Sequence, residues 1–169
     1  RHRDNFIRLV KNGYYDGVLF HRVISDFMIQ CGDSTTRHTE PGDKAGEYAP
    51  AYTIPAEIVY PKFFHRRGVL AAAREPDDVN PNRESSSSHF YIVYGRRFTE
   101  DGLDNLQARL DKTTGGKIVL TPEVREIYKS VGGTPHLDGQ YTIFGEVLGG
   151  MDVVKEIQSV ETDSKDRPL

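Results

Sequence analysis

Cysteine is nearly absent from this chain: Cys31 stands alone among 169 residues. A single thiol excludes an internal disulfide framework and a CxxC-type zinc site. Long apolar runs are missing too, and nothing approaches the roughly 18 apolar residues a membrane-spanning helix needs. Neither sign of charge is in excess: 22 Lys and Arg face 25 Asp and Glu, a formal net charge of −3. That balance argues against a non-specific nucleic-acid binder. The doublets Arg66-Arg67 and Arg96-Arg97 read as solvated loop ends rather than a phosphate track. The six histidines (2, 21, 38, 65, 89 and 136) form no HxH, HExxH or HxxxH pattern, so a metal site has little support. Walker, GxGxxG and GxSxG segments are also lacking. Ser88 does precede His89, but neighbours on a strand point to opposite faces, which argues against a hydrolase pair there.

What is present suits one soluble domain. The chain is 37% apolar and 28% charged, long enough for a real core. Phe6, Leu9 and Val10 share one helical face, which predicts an opening helix with Asp4 as its cap and Gly13 as its stop. The period then changes. Residues 17–24 and 27–30 read as strands around a Ser25-Asp26 turn, and 52–59, 68–73, 89–94 and 142–147 as further short strands. Residues 34–51 and the REPDDVNPNRESSSS segment read as long loops. Between 96 and 135 helical spacing returns, with Leu103, Leu106 and Leu110 in one run and Val124, Ile127, Tyr128 and Val131 in another. Thr121-Pro122-Glu123 is a good helix start. Met151, Val154 and Ile157 predict a last helix. The sum is a mainly β domain, closed or sandwiched, carrying a helical insertion over 96–135.

One segment concentrates the chemistry: FHRVISDFMIQCGD, 20–33. Alternation puts Phe20 and Arg22 on one strand face. After a tight turn, Met28 and Gln30 follow on the return strand, so Arg22, Met28 and Gln30 can line one patch. An arginine on an apolar face is costly without partners. Spacing alone leaves a structural pairing to Gln30 and a functional role equally open.

The longer stretch YYDGVLFHRVISDFMIQCGD resembles the signature of the cyclophilins, the cyclosporin-sensitive type of peptidyl-prolyl cis-trans isomerase. GVLAAAR, SSSSHFYIVYG and HLDGQYTIFGEVLGGMDVVKEI match further blocks of that family in order, with a bacterial-like cast. The resemblance implies an antiparallel β-barrel with two capping helices and catalysis of X-Pro rotation without cofactor or metal. It places Arg22 on the catalytic arginine, Phe27 and Met28 on the proline-pocket wall, and Gln30 on the hydrogen-bonding glutamine. Ala73 and Arg74 fall on the strip that holds the substrate backbone, where Asn is usual at the second position. His89 stands for a usual Gln, and Phe90-Tyr91 for a usual Phe-Phe whose second member floors the pocket. Leu137 matches a pocket leucine, and Tyr141 stands where many members carry His. His136 replaces the Trp or Phe associated with strong cyclosporin binding, so drug binding does not carry over. Cys31 replaces a glycine and reads as a small buried hydrophobe.

The expected partners are proline-containing peptides and unfolded or partly folded proteins, with no nucleic acid and no membrane span. The compartment stays open between cytoplasm and cell envelope. A proline-peptide binding module with little turnover is the competing reading. The insertion is expected to pack as two short helices and shape the groove's rim, with a position remote from the site as the alternative. By the family pattern, the barrel's first two strands and its last strand have no residues here. The expectation is a chain clipped from a longer one, or an open sheet with covered edges.

Overall fold

The structure, a computed structural model, describes residues 1–169. Helix α1 (His2–Lys11) opens the chain. Strands β1 (Arg22–Ile24) and β2 (Met28–Cys31) follow, then β3 (Thr53–Ile54), β4 (Val69–Ala72), β5 (Ser85–Ser86) and β6 (Phe90–Val93). Helices α2 (Glu100–Thr114) and α3 (Pro122–Ser130) form the helical segment. Strand β7 (Ile143–Glu146) and helix α4 (Met151–Gln158) complete the order. Five strands pair antiparallel in the order β1-β2-β6-β4-β7, and β3 pairs with β5 in a separate ribbon.

Alternation divides the main sheet into two faces. Met28, Val69, Ala71, Tyr91 and Val93 form one buried cluster, joined by Phe27, Leu137 and Tyr141. On the other face Val23, Ile29 and Ile92 pack under Val154, Met151 and Ile157 of α4. Phe6 of α1 meets Phe90 edge-on at 5.2 Å. The amphipathic helices thus sit where their apolar stripes find the sheet's apolar back. β1 and β7 are the sheet's edge strands. The outer side of β1 is partly used, because the Val23 N–H donates to the Asp166 carbonyl at 2.8 Å.

The helical segment has its own core of Leu103, Leu110, Leu120, Val124 and Tyr128, with Phe64 and Phe98 packed against it. Thr99 and Thr121 cap the two helices by accepting from the Gly102 and Val124 N–H groups at 3.1 and 3.3 Å. Such caps satisfy N–H groups that have no partner within the helix. Gly133 anchors the far end. Its N–H donates to the Arg96 carbonyl at 3.1 Å, and its neighbour Thr134 donates to the His65 carbonyl at 2.9 Å.

Several expectations shift. α1 starts at His2 with no side-chain cap, so Asp4 lies in the first turn, where its charge suits the positive helix end. The strand read over 17–24 forms only at Arg22–Ile24. Phe20 therefore escapes the alternation and packs with Val23 and Ile29, away from Arg22. The serine run, read as loop, contributes β5 because Ser85 and Ser86 pair with Ile54 and Thr53. The 34–51 loop contains a short 3-10 turn, Ser34–His38, started by Asp33 accepting from the Thr35 N–H at 2.9 Å.

Candidate active site

A straight cross-strand row builds the site. Arg22 stands opposite Gln30, Gln30 opposite Tyr91, and Tyr91 opposite Ala71. Directly opposed residues share a face, so four strands present these side chains together. The Ser25-Asp26 turn sets the next position. Asp26 adopts φ 57°, the Phe27 N–H donates to the Ile24 carbonyl at 3.1 Å, and the Phe27 carbonyl accepts from both Tyr94 and Gly95 at 2.9 Å. Phe27 is thereby fixed beside Met28 at the start of β2, on one side of the row.

These groups enclose a pocket of about 150 Å³, lined by Arg22, Phe27, Met28, Gln30, Ala73, Arg74, Tyr91, Leu137 and Tyr141. Its volume suits a single small ring. Met28 and Tyr91 are buried, while Arg22 is exposed. The Arg22 guanidinium donates to the Gln30 side-chain carbonyl at 3.3 Å. No carboxylate pairs with Arg22, so its charge stays available. Arg74 is held differently. It donates to the Gln140 carbonyl at 3.0 Å and to Asp77 at 2.8 Å, and it lies over the Tyr141 ring at 4.5 Å. It is therefore part of the wall.

Of the residues expected to bind substrate, His89, Phe90 and His136 lie outside this pocket. His89 lines an adjoining cleft with Ala73 and Arg74, and its Nε2 hydrogen-bonds with the Tyr48 carbonyl at 2.7 Å. Phe90 must be removed from the groove. It follows the strand's alternation to the opposite face from Tyr91 and packs with Phe6, Tyr15 and Phe144. His136 leans on Phe27 with ring centres 5.3 Å apart. Its pKa is pushed down to about 4, first by burial and then by the charges of Arg109, His65 and Arg96, so the ring is neutral at ordinary pH. Ser88 and His89 form no pair: the Ser88 hydroxyl is buried without a partner. Cys31 is buried, and burial pushes its thiol up to about 12.

Sequence reasoning missed the groups behind the pocket. Tyr91 reaches back with its hydroxyl to His65 Nε2 at 2.8 Å. His65 Nδ1 lies 3.1 Å from Asp138 Oδ1, and Tyr128 of α3 donates to Asp138 Oδ2 at 2.6 Å. His65, Asp138 and Tyr128 are fully buried. A tyrosine where the family usually has phenylalanine was the one signal available in the chain.

The arrangement is a largely apolar pocket with a guanidinium unpaired by any carboxylate at its mouth, on an antiparallel sheet backed by two helices. The sequence itself matches the family model "Cyclophilin type peptidyl-prolyl cis-trans isomerase/CLD" over residues 1–169. The chain belongs to this family. A "Putative peptidyl-prolyl cis-trans isomerase" of Staphylococcus saprophyticus is 35% identical, with 98% of this chain and 74% of the relative covered. One from Staphylococcus aureus is 32% identical with the same coverage. Among solved structures, a Cryptosporidium parvum cyclophilin-type isomerase superposes with a TM-score of 0.62 at 26% identity, covering 98% of this chain and 75% of that one. A second structure of that protein, in the presence of the dipeptide Ala-Pro, gives a TM-score of 0.60.

Proposed function

We propose that this chain accelerates rotation about X-Pro bonds by holding the proline ring in the pocket and presenting Arg22 to the prolyl nitrogen. An amide resists rotation by roughly 18–20 kcal/mol because of resonance. In the twisted transition state that resonance is lost, and the prolyl nitrogen becomes pyramidal and basic. A guanidinium aimed at it is worth more there than against the planar ground state, which is what differential binding requires. Arginine suits the role because it stays charged and carries fixed donors. Phe27, Met28, Tyr91 and Leu137 clamp the ring so that the carbonyl side turns around it. Excluding water strengthens the Arg22 contact. Gln30 orients Arg22. Three to six decades of rate need only about 4–8 kcal/mol, within reach of one charge-assisted contact and desolvation.

The observation that carries this reading is the pairing of an unneutralised Arg22, steadied by Gln30 at 3.3 Å, with an apolar-walled pocket sized for one ring. Exchange NMR on a short X-Pro peptide tests it. Catalytic amounts of the protein should accelerate cis–trans exchange, and Arg22→Ala should remove most of the acceleration. Peptide binding without faster exchange would leave only a binding module. Equal acceleration by both proteins would overturn the role of Arg22.

A further inference from the structure

Two clefts flank the proline pocket, and their charges are opposite. On one side lies the cleft of Ala73, Arg74 and His89. Its lining carries Glu47, Glu75 and Glu84, and its one arginine, Arg74, is already paired with Asp77. On the other side, beyond Phe27 and His136, a cleft of about 850 Å³ opens between the β1–β2 turn and α2. Arg96, Arg97 and Arg109 line it, against the single acid Asp26. None of the three arginines takes part in an ion pair of this chain. Other arginines of this region do: Arg66 pairs with Glu146, and Arg125 with Glu100 and Asp104. The lining of this cleft therefore carries three positive charges against one negative.

The cleft is also anchored. Arg96 exchanges backbone hydrogen bonds with Gly133, at 3.1 and 3.4 Å. Arg109 projects from α2 beside Leu110, which is buried in the helical core. The cations therefore stand on fixed backbone. Their field reaches the partition between the two cavities, since Arg109 and Arg96 both act on His136. Thr134, in the same wall, keeps a buried hydroxyl without a partner. That leaves the wall locally under-satisfied.

We infer that this arginine cleft receives an acidic side chain of the same peptide whose proline fills the pocket. The substrate class is then prolyl segments with Asp or Glu on the flank beyond Phe27 and none on the flank toward Glu47, Glu75 and Glu84. The inference rests on the isomerase reading above. Complementary charge on one side and like charge on the other favours one peptide direction over its reverse.

Three peptides of equal length test it: one neutral, with Gln at both flanks, one with Glu two residues before the proline, and one with Glu two residues after it. Exchange NMR at low salt yields kcat/KM for each. One Glu peptide, and only one, should exceed the neutral peptide by about tenfold, and the gain should shrink at high salt. In an Arg96→Glu/Arg109→Glu variant the acidic-to-neutral ratio should fall below one. Equal values for all three peptides, or equal gains for both Glu peptides, would overturn the inference while leaving isomerase activity in place. No acceleration of any peptide would remove the isomerase reading itself.

Discussion

The hydroxyl of Tyr91 lies 2.8 Å from Nε2 of His65, joining the lining of the Arg22 pocket to a residue buried behind it. Asp138 accepts from the His65 backbone N–H at 2.8 Å and faces its Nδ1, which assigns the ring proton to Nδ1. In the neutral ring Nε2 is then the acceptor, and Tyr91 donates to it. The chain Tyr128–Asp138–His65–Tyr91 thus ties helix α3 to the pocket floor through fully paired polar groups.

Tyr91→Phe leaves His65 Nε2 buried without a donor, at a cost of about 1–3 kcal/mol. Tyr128→Phe strips Asp138 Oδ2 of its donor in a fully buried site, at a similar cost. Because both act on one network, the double variant should lose less than the two single losses together, a coupling of about 0.5–3 kcal/mol. Urea unfolding of the four proteins measures it. Simple additivity would show that the two tyrosines do not communicate. ¹⁵N shifts of His65 should report the Nδ1–H tautomer in the unaltered protein.

Arg22→Lys keeps the charge but loses the planar fork that Gln30 orients. Removing a donor aimed at developing transition-state charge costs on the order of 10²–10³ in rate. The Lys variant should therefore lose at least tenfold in kcat/KM with stability unchanged, because Arg22 is exposed. Full activity in the Lys variant would reduce Arg22 to a point charge.

Two imidazoles predict an acid-sensitive stability. His21 is pushed down to about 4, first by burial and then by His89, and His136 is also pushed down to about 4, first by burial and then by Arg109. In the unfolded chain both titrate near ~6.5. Between these values the unfolded chain binds protons that the folded chain refuses. Stability is therefore full above about pH 6.5 and falls toward pH 4, by up to about 1.4 kcal/mol per pH unit for each group. His136, only half-buried, contributes the smaller share because solvent screens it. Denaturant midpoints at pH 7, 6, 5 and 4.5 should decline steadily, and less so in His21→Phe. A flat profile would refute the assignment.

Gly95 is the tightest joint between sheet and helical segment. It sits at φ 65°, and a Cβ there would lie 2.0 Å from the Gly133 carbonyl oxygen. Gly95→Ala meets both an unfavourable backbone region and an immovable backbone atom. It should destabilise by about 2–5 kcal/mol, read as a lowered melting temperature. Gly115→Ala, at the same φ but with open space around it, should cost only about 1 kcal/mol. Equal losses at the two sites would show that the close approach is unimportant.

Local pattern carried a large part of this protein. The 3.6-residue spacing of Phe6 and Leu9, of Leu103 and Leu110, and of Val154 and Ile157 marks three helices, and Thr121-Pro122 starts a fourth. Alternation across a three-residue connection brings Arg22, Met28 and Gln30 to one face, because neighbouring strands share a pleat. These are short-range constraints, and the backbone states them directly. Other features belong to packing between distant segments. Where a strand begins decides its parity, so Phe20 left the Arg22 face once pairing started only at Arg22. Phe90 and Tyr91 are adjacent aromatics with opposite destinations, one under α1 and one in the pocket. The link from Tyr128 to Asp138, His65 and Tyr91 joins α3 and β6 through two loop residues, and the arginine cleft gathers residues from the β1–β2 turn, the 96–109 region and the segment 133–136. No periodicity encodes such meetings, because they depend on which buried polar groups find partners after the chain has closed.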